Sequence, residues 1–196
     1  MLSLQRVKCT IIGNYGVGKT SLIRNFLNID TKNTKSTVGI DFFMKTIQVY
    51  DQQIHVSIWD TAGAERFHGL TNSYLRDSCI IFIIYDLGDK SFKRNIQRWL
   101  QTIEECRVQP VVICVLGNKS DIHETPQNSL KNILEPYKRQ NWTIFSGITN
   151  YKDSTFREYI LKSLKHVIGQ NHSPIEPVDP IINISIKNPS HRTCCT

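Results

Sequence analysis

The feature that most restricts how this chain can fold is an eight-residue run, Gly13 to Thr20, reading GNYGVGKT. It fits the spacing G-x-x-x-x-G-K-[ST], follows the apolar run Val7–Ile12 and leads into a helical pattern. A turn between a strand and a helix can aim its backbone N–H groups at a phosphate only where side chains leave room, which glycine does. The positive end of the following helix adds to the attraction. Gly16, Val17, Gly18, Lys19, Thr20 and Ser21 are the candidate phosphate ligands. Lys19 reaches the outer phosphates, and Thr20 offers a hydroxyl to Mg²⁺. A chance match somewhere in a chain of ordinary composition is on the order of 1%, and the strand–helix context lowers it further.

A loop of this kind belongs in alternating strand and helix, and the chain supplies that alternation from Leu4 to about Gly169. Strands are expected at Val7–Ile12, Cys79–Tyr85, Val111–Leu116 and Trp142–Phe145. Phe92, Ile96, Trp99, Leu100 and Ile103 recur on one helical face, as do Phe156, Tyr159, Ile160, Leu164, Val167 and Ile168. Asp41 to Asp60 departs from the alternation: it reads as two strands turning near Asp51-Gln52 with no helix between. The expected fold is α/β, a three-layer sandwich with helices on both faces of a mostly parallel six-stranded sheet and one antiparallel edge strand. About five principal helices are expected.

Two further runs lie where such a fold gathers its ligands, at the carboxyl ends of strands. Asn118, Lys119 and Asp121 (NKSD) follow the Val111–Leu116 strand. A carboxylate there can accept from two guanine N–H groups at once, which adenine does not offer. Asn118 suits the purine's Hoogsteen edge, and the Lys119 stem can cover the ring. Asp60 to Gly63 (DTAG) follows the alternating run Ile54–Trp59. Asp60 suits Mg²⁺ held through water, Gly63 can bring its N–H to a γ-phosphate, and Thr37 can add a second hydroxyl to the metal. The candidate metal ligands are thus Thr20, Thr37 and Asp60.

The order GNYGVGKT, STVGIDF, WDTAGAERF, NKSD resembles that of Ras-superfamily small GTPases. Val38–Phe42, Ile58–Phe67, Ser73–Arg76 and Tyr85-Asp86 are similar to the Rab branch. The resemblance implies a P-loop NTPase G domain over residues 1–169 that binds GTP or GDP with Mg²⁺ and hydrolyses GTP to GDP and phosphate. It also implies a molecular switch in vesicle and membrane trafficking. Ser146 and Gly147 would serve the guanine oxygen, and Phe42, Trp59 and Tyr74 match the family's exposed aromatic triad that meets effectors. The implied partners are Rab-type effectors, an exchange factor, a GDP-dissociation inhibitor and the prenylation machinery, acting on a monomer.

Several residues depart from the family pattern. Ala64 stands where the family has a water-positioning glutamine, so no catalytic residue is certain; Lys19, Thr37 and Gly63 would support phosphoryl transfer, which is expected to be very slow. Tyr15 occupies a loop position that is usually small, where its ring would obstruct an arginine from an activating partner or its hydroxyl would itself contact phosphate. Asn28–Ser36 is one residue short of the Rab spacing and offers Thr31 or Lys32 where the family stacks an aromatic on the base. Ser146-Gly147-Ile148 replaces Ser-Ala-Lys, removing a lysine. These departures favour an alternative reading as a non-cycling, nucleotide-binding scaffold that recruits effectors to membranes.

Composition bears on compartment and partners. No apolar run approaches the ~18–20 residues of a membrane helix, and MLSLQRVKCT has neither signal-peptide character nor a myristoylation glycine. A cytoplasmic chain is expected. Net charge is +7, but the basic residues form no dense block, so no nucleic-acid partner is expected. None of the six cysteines has zinc-site spacing; Cys9, Cys79 and Cys114 lie in strand-like runs. Residues 170–196 are rich in proline and polar residues and read as a flexible tail with a short apolar stretch at Ile181–Ile186. The ending HRTCCT is not a C-a-a-X box, but Cys194 and Cys195 resemble a Rab-type geranylgeranylation signal. Two lipid chains give stable anchoring where one does not, which would place the protein on the cytosolic face of an endomembrane or the plasma membrane.

Overall fold

The computed structural model describes residues 5–31, 37, 39–63, 73–106, 110–123, 130–139 and 142–170. Six strands build one sheet: β1 (Gln5–Ile12), β2 (Ile40–Val49), β3 (Gln52–Thr61), β4 (Ile80–Asp86), β5 (Val111–Asn118) and β6 (Trp142–Ile148). Their order across the sheet is β2-β3-β1-β4-β5-β6. All neighbouring pairs are parallel except β2 with β3. That hairpin turns at Tyr50–Asp51, with Tyr50 at φ +51°. The expected mixed sheet and its antiparallel edge are therefore what the chain forms.

β4 and β5 are buried along nearly their whole length. A parallel strand covered on both faces needs apolar side chains on both, which explains the unbroken runs IIFIIY and VVICVL. One core lies beneath α1 (Lys19–Leu27) and the long helix at the end of the described chain, and contains Ile11, Ile23, Phe82, Cys114, Phe156 and Leu164. The other lies beneath α2 (Phe92–Cys106) and α3 (Lys131–Leu134), the latter running into a 3₁₀ turn at Glu135–Arg139. The long final helix is α4 (Thr155–Gln170). The buried residues of α2 are the five that recur at helical spacing in the sequence. On α4, Phe156, Ile160, Leu164 and Val167 are buried, while Tyr159 and Ile168 are half-buried. With a helical turn at residues 73–76, these are the helices among the described residues.

Two strands run further than their apolar patterns. β5 extends to Asn118 because Asp86 pairs with it, and the Leu87 N–H reaches the Asn118 carbonyl at 3.1 Å. β6 extends to Ile148 because Ser146 and Gly147 pair with Val115 and Leu116. Asn118, Ser146 and Gly147 therefore sit inside strand ends, held by ladder bonds, rather than in loops.

Strand order also fixes where a ligand can enter. From β1 the chain builds the sheet first to one side through β2 and β3, then to the other through β4, β5 and β6. The loop after β1 thus opens at the crevice where the order reverses, the position at which open α/β sheets bind ligands.

Candidate functional site

The Gly13–Thr20 loop takes conformations that side chains would oppose. Gly13 has φ +143°, and a β-carbon there would collide with the Ile84 carbonyl oxygen of β4. Gly18 has φ +94°, and a β-carbon there would collide with the Asn118 amide nitrogen. Gly18 is the N-cap of α1 and supplies no side-chain cap, so the first amides of that helix are not closed off by one.

Lys19 is buried, and its ammonium folds back over the loop, donating to the Gly13 carbonyl at 2.9 Å and to the Asn14 carbonyl at 3.0 Å. Burial lowers its pKa to about 8, against the opposing pull of Asp60. Asn14 is fastened on a second side: the Trp99 indole N–H of α2 donates to its Oδ1 at 3.2 Å. On a third side lies Gly63, where a β-carbon would overlap the Asn14 carbonyl and the Tyr15 nitrogen at 2.5 Å. The residue after Asp60, Thr61 and Ala62 thus runs against the phosphate loop with no space for a side chain. Tyr15 itself is 72% exposed.

Beside the loop, three oxygens from three segments converge. The Thr20 hydroxyl donates to Asp60 Oδ2 at 2.6 Å, the Thr37 hydroxyl approaches the same oxygen at 3.3 Å, and the two hydroxyls are 2.9 Å apart. Asp60 is fully buried, and its Oδ1 has no hydrogen-bond partner. Burial pushes its carboxyl above the usual value, against the pull of the Thr20 hydroxyl and the Lys19 ammonium. A hard divalent cation fits this donor set: all the donors are oxygen, one is a carboxylate, and a buried carboxylate oxygen is left without a partner. The three candidate metal ligands are brought together. Lys19, Gly63 and the turn of α1 stand next to them.

A second cluster forms at the ends of β4, β5 and β6. Asn118 is buried, and its amide donates to the Val17 carbonyl at 2.8 Å, tying the end of β5 to the phosphate loop; its Oδ1 has no partner. The Lys119 ammonium pairs with Asp86 at 2.6 Å, and Lys119 takes φ +68°. His123 Nε2 lies 3.6 Å from the other oxygen of Asp86. Asp121 Oδ2 accepts from Lys152 at 2.9 Å; that bond holds the Asp121 carboxyl below its usual value and raises the Lys152 ammonium. Ser146 is exposed, and its carbonyl accepts from the Tyr159 hydroxyl at 3.2 Å. That hydroxyl fills the place a β-carbon at Gly147 would take, which explains glycine at 147.

Sequence reasoning did not find three of these contacts. Trp99, Tyr159 and Lys152 come from helix faces and a loop distant in sequence. The first two look like ordinary core or helix residues, and Lys152 looks like an ordinary surface charge. Phe42, Trp59 and Tyr74 do form a continuous aromatic strip: ring centres are 4.9 Å apart for the first pair and 5.1 Å for the second. Phe42 is 50% exposed, and none of the three belongs to either buried core. Cys9 and Cys114 are buried, and burial pushes the Cys114 thiol up to about 12. Lys32, Ala64, Cys194, Cys195 and the tail beyond Gln170 lie outside the described residues; Gln170 itself ends α4.

Comparison with known proteins follows the same outline. The Ras family model matches residues 8–168 of this chain. A curated relative, the Ras-related protein Rab-10 of Caenorhabditis elegans, is 44% identical over 119 residues. The match covers 60% of this chain and 59% of that relative's own length.

Proposed function

This chain belongs to the Ras family as a Rab-like small GTPase, and from that premise we propose that it is a guanine-nucleotide switch of membrane trafficking. The observation that carries the reading is the convergence of Thr20 and Thr37 on Asp60, directly beside the loop that Lys19 closes. GTP and GDP are the nucleotides. Gly16, Val17, Gly18, Lys19, Thr20 and Ser21 hold the phosphates through backbone N–H groups and the Lys19 ammonium. Thr20, Thr37 and Asp60 would hold Mg²⁺, which would neutralise phosphate charge when bound. Lys119 and Asp121 face the base, with Ser146 and Gly147 at its oxygen. Asn118 clamps the strand end to the Val17 carbonyl with one amide N–H and offers the other to the purine's Hoogsteen edge.

In phosphoryl transfer the protein's part is positioning and electrostatics. Lys19 would leave the Gly13 and Asn14 carbonyls for the outer phosphates. The Gly63 N–H, delivered next to the loop because no side chain intervenes, would meet the γ-phosphate. A water attacks the γ-phosphorus, the bond to the bridging oxygen breaks, and GDP and phosphate leave. Ala64 cannot orient that water, so unassisted hydrolysis is slow. Tyr15, exposed at the loop's outer edge, crowds any arginine brought in by an activating partner.

Residues 1–169 form the switch domain. The tail from 170 to 196 anchors it through lipid on Cys194 and Cys195, on the cytosolic face of an endomembrane or the plasma membrane. The Phe42–Trp59–Tyr74 strip is the surface for effectors, and an exchange factor, a GDP-dissociation inhibitor and the prenylation machinery complete the partners of a monomer. The second reading, a scaffold that holds nucleotide without cycling, draws on Ala64, on Tyr15, and on Thr31 or Lys32 in place of a base-stacking aromatic. Single-turnover hydrolysis of preloaded GTP separates the two. Slow phosphate release above buffer supports the switch, and none, with or without activators, supports the scaffold.

The Lys19 site also sets a pH dependence. The ammonium in the nucleotide-free protein has a pKa of about 8, and phosphates would raise it, so binding takes up a proton above pH 8. Nucleotide affinity should be flat below pH 8 and fall as pH rises beyond it, by at most about tenfold per unit. Calorimetric titrations between pH 6.5 and 9.5 check this. Flat affinity across that range would show that Lys19 keeps its charge.

A further inference from the structure

The segment Ser146-Gly147-Ile148 carries no lysine, but a lysine four residues further on reaches Asp121. The Lys152 ammonium stands 2.9 Å from Asp121 Oδ2, and the Asp121 side chain keeps only 20% of its surface open. The loops carrying the pair are bonded to each other beneath it. The Thr149 N–H donates to the Gly117 carbonyl at 2.8 Å, and the Ser120 hydroxyl reaches the Thr149 carbonyl at 3.5 Å. The Lys152 N–H is fixed in turn by Asn150 Oδ1 at 2.7 Å, and its ammonium lies 5.5 Å from the Tyr151 ring centre. Lys152 is thus delivered to Asp121 by a loop fastened to the strand that carries the NKSD run.

An exposed aspartate without a partner turns freely about two side-chain bonds. Ionised, it has about four acceptor positions on two oxygens, so one ammonium leaves room for two further donors. We propose that Lys152 is the positioning residue of the base-reading carboxylate, its ammonium holding Asp121 in the orientation that meets the ring N–H and 2-amino groups of guanine. The inference rests on Asp121 being the residue that reads the base.

The test compares affinities of the full chain for GDP and for inosine diphosphate, which lacks the 2-amino group, by titration calorimetry in Mg²⁺ buffer. The variants are Lys152→Ala, Lys152→Met, Lys152→Arg and Asp121→Ala. Lys152→Ala and Lys152→Met should weaken GDP by about two- to fivefold and narrow the preference for GDP over inosine diphosphate, while Lys152→Arg should restore both. Methionine keeps the stem, so it remains informative if alanine disturbs the loop. Unchanged GDP affinity and preference, or tighter GDP binding, would overturn the proposal. So would an equal loss for both nucleotides that arginine does not rescue, which would mark a merely structural role. Asp121→Ala tests the premise by itself. If that variant keeps the wild-type preference for GDP, the assignment of the base site has failed, whatever Lys152 does.

Discussion

Replacing Lys19 with methionine is expected to weaken binding of GDP and GTP by about 2–5 kcal/mol, roughly 30- to 4,000-fold. The stem is kept, so the packing of α1 survives and the loss falls on the ammonium alone. That ammonium is buried and already rests on two carbonyls of the loop, Gly13 and Asn14. Phosphate oxygens offer it full negative charge in place of carbonyl dipoles, and burial makes the exchange more favourable than it would be in water. Methionine leaves the phosphates to the backbone N–H groups and the metal. Because burial already disfavours the Lys19 charge, removing it should cost the nucleotide-free fold little. Displacement of a fluorescent GDP analogue measures the affinity, and circular dichroism melts of the nucleotide-free proteins show whether the fold is kept. A folded variant that binds as tightly as the parent would remove Lys19 from the site.

The second large effect runs in the opposite direction. Replacing Ala64 with glutamine should raise single-turnover hydrolysis of bound GTP by about 10²-fold. Gly63, the residue before it, lies against the Asn14 and Tyr15 backbone with no room for a β-carbon, so the chain is brought to the phosphate loop immediately before position 64. A methyl group there offers neither donor nor acceptor to a water. A carboxamide offers both, and preorganised polar contacts of that kind account for factors of this size. Nucleotide affinity should not change, because the water is absent from the ground-state contacts. Phosphate release after Mg²⁺ addition to preloaded protein gives the rate. If glutamine leaves the rate where alanine has it, the slow step lies elsewhere, and Tyr15→Ser in the same background is the next variant to measure.

Much of this molecule is legible in the chain because its signals are local. The apolar runs of β4 and β5 and the five-residue face of α2 report their own burial. The hairpin between β2 and β3 is announced by the alternating run Ile54–Trp59 with no helix before it, and its turn falls at Tyr50–Asp51, one residue ahead of the expected Asp51-Gln52. The convergence of Thr20, Thr37 and Asp60 was also readable, because strand ends in this topology point to one crevice. Strand ends were less legible. Asn118, Ser146 and Gly147 are not apolar, and only the hydrogen bonds of neighbouring strands draw them into the sheet.

Contacts between side chains far apart in sequence left no pattern to read. Asn118 reads as a ligand to the base, but the bond from one of its two amide N–H donors to the Val17 carbonyl has no signal in the sequence. Gly147 looks like a substitution without reason until the Tyr159 hydroxyl is found in the space it leaves. Lys152 carries no spacing signal toward Asp121, since a charged residue after a strand is most often a solvated one. Trp99 reads as the core residue it is, and its indole N–H on Asn14 is invisible to periodicity.

Nucleotide recognition depends on a phosphate cradle closed by Lys19 and a base pocket closed by Asp121. Equilibrium titration of nucleotide-stripped protein with GDP, GTP, ADP and ATP, in millimolar Mg²⁺ below pH 8, tests it most directly. Binding of both guanine nucleotides with much weaker binding of both adenine nucleotides is the expected result. Folded protein that takes up neither GDP nor GTP at millimolar concentration, or that prefers ADP and ATP, would contradict it.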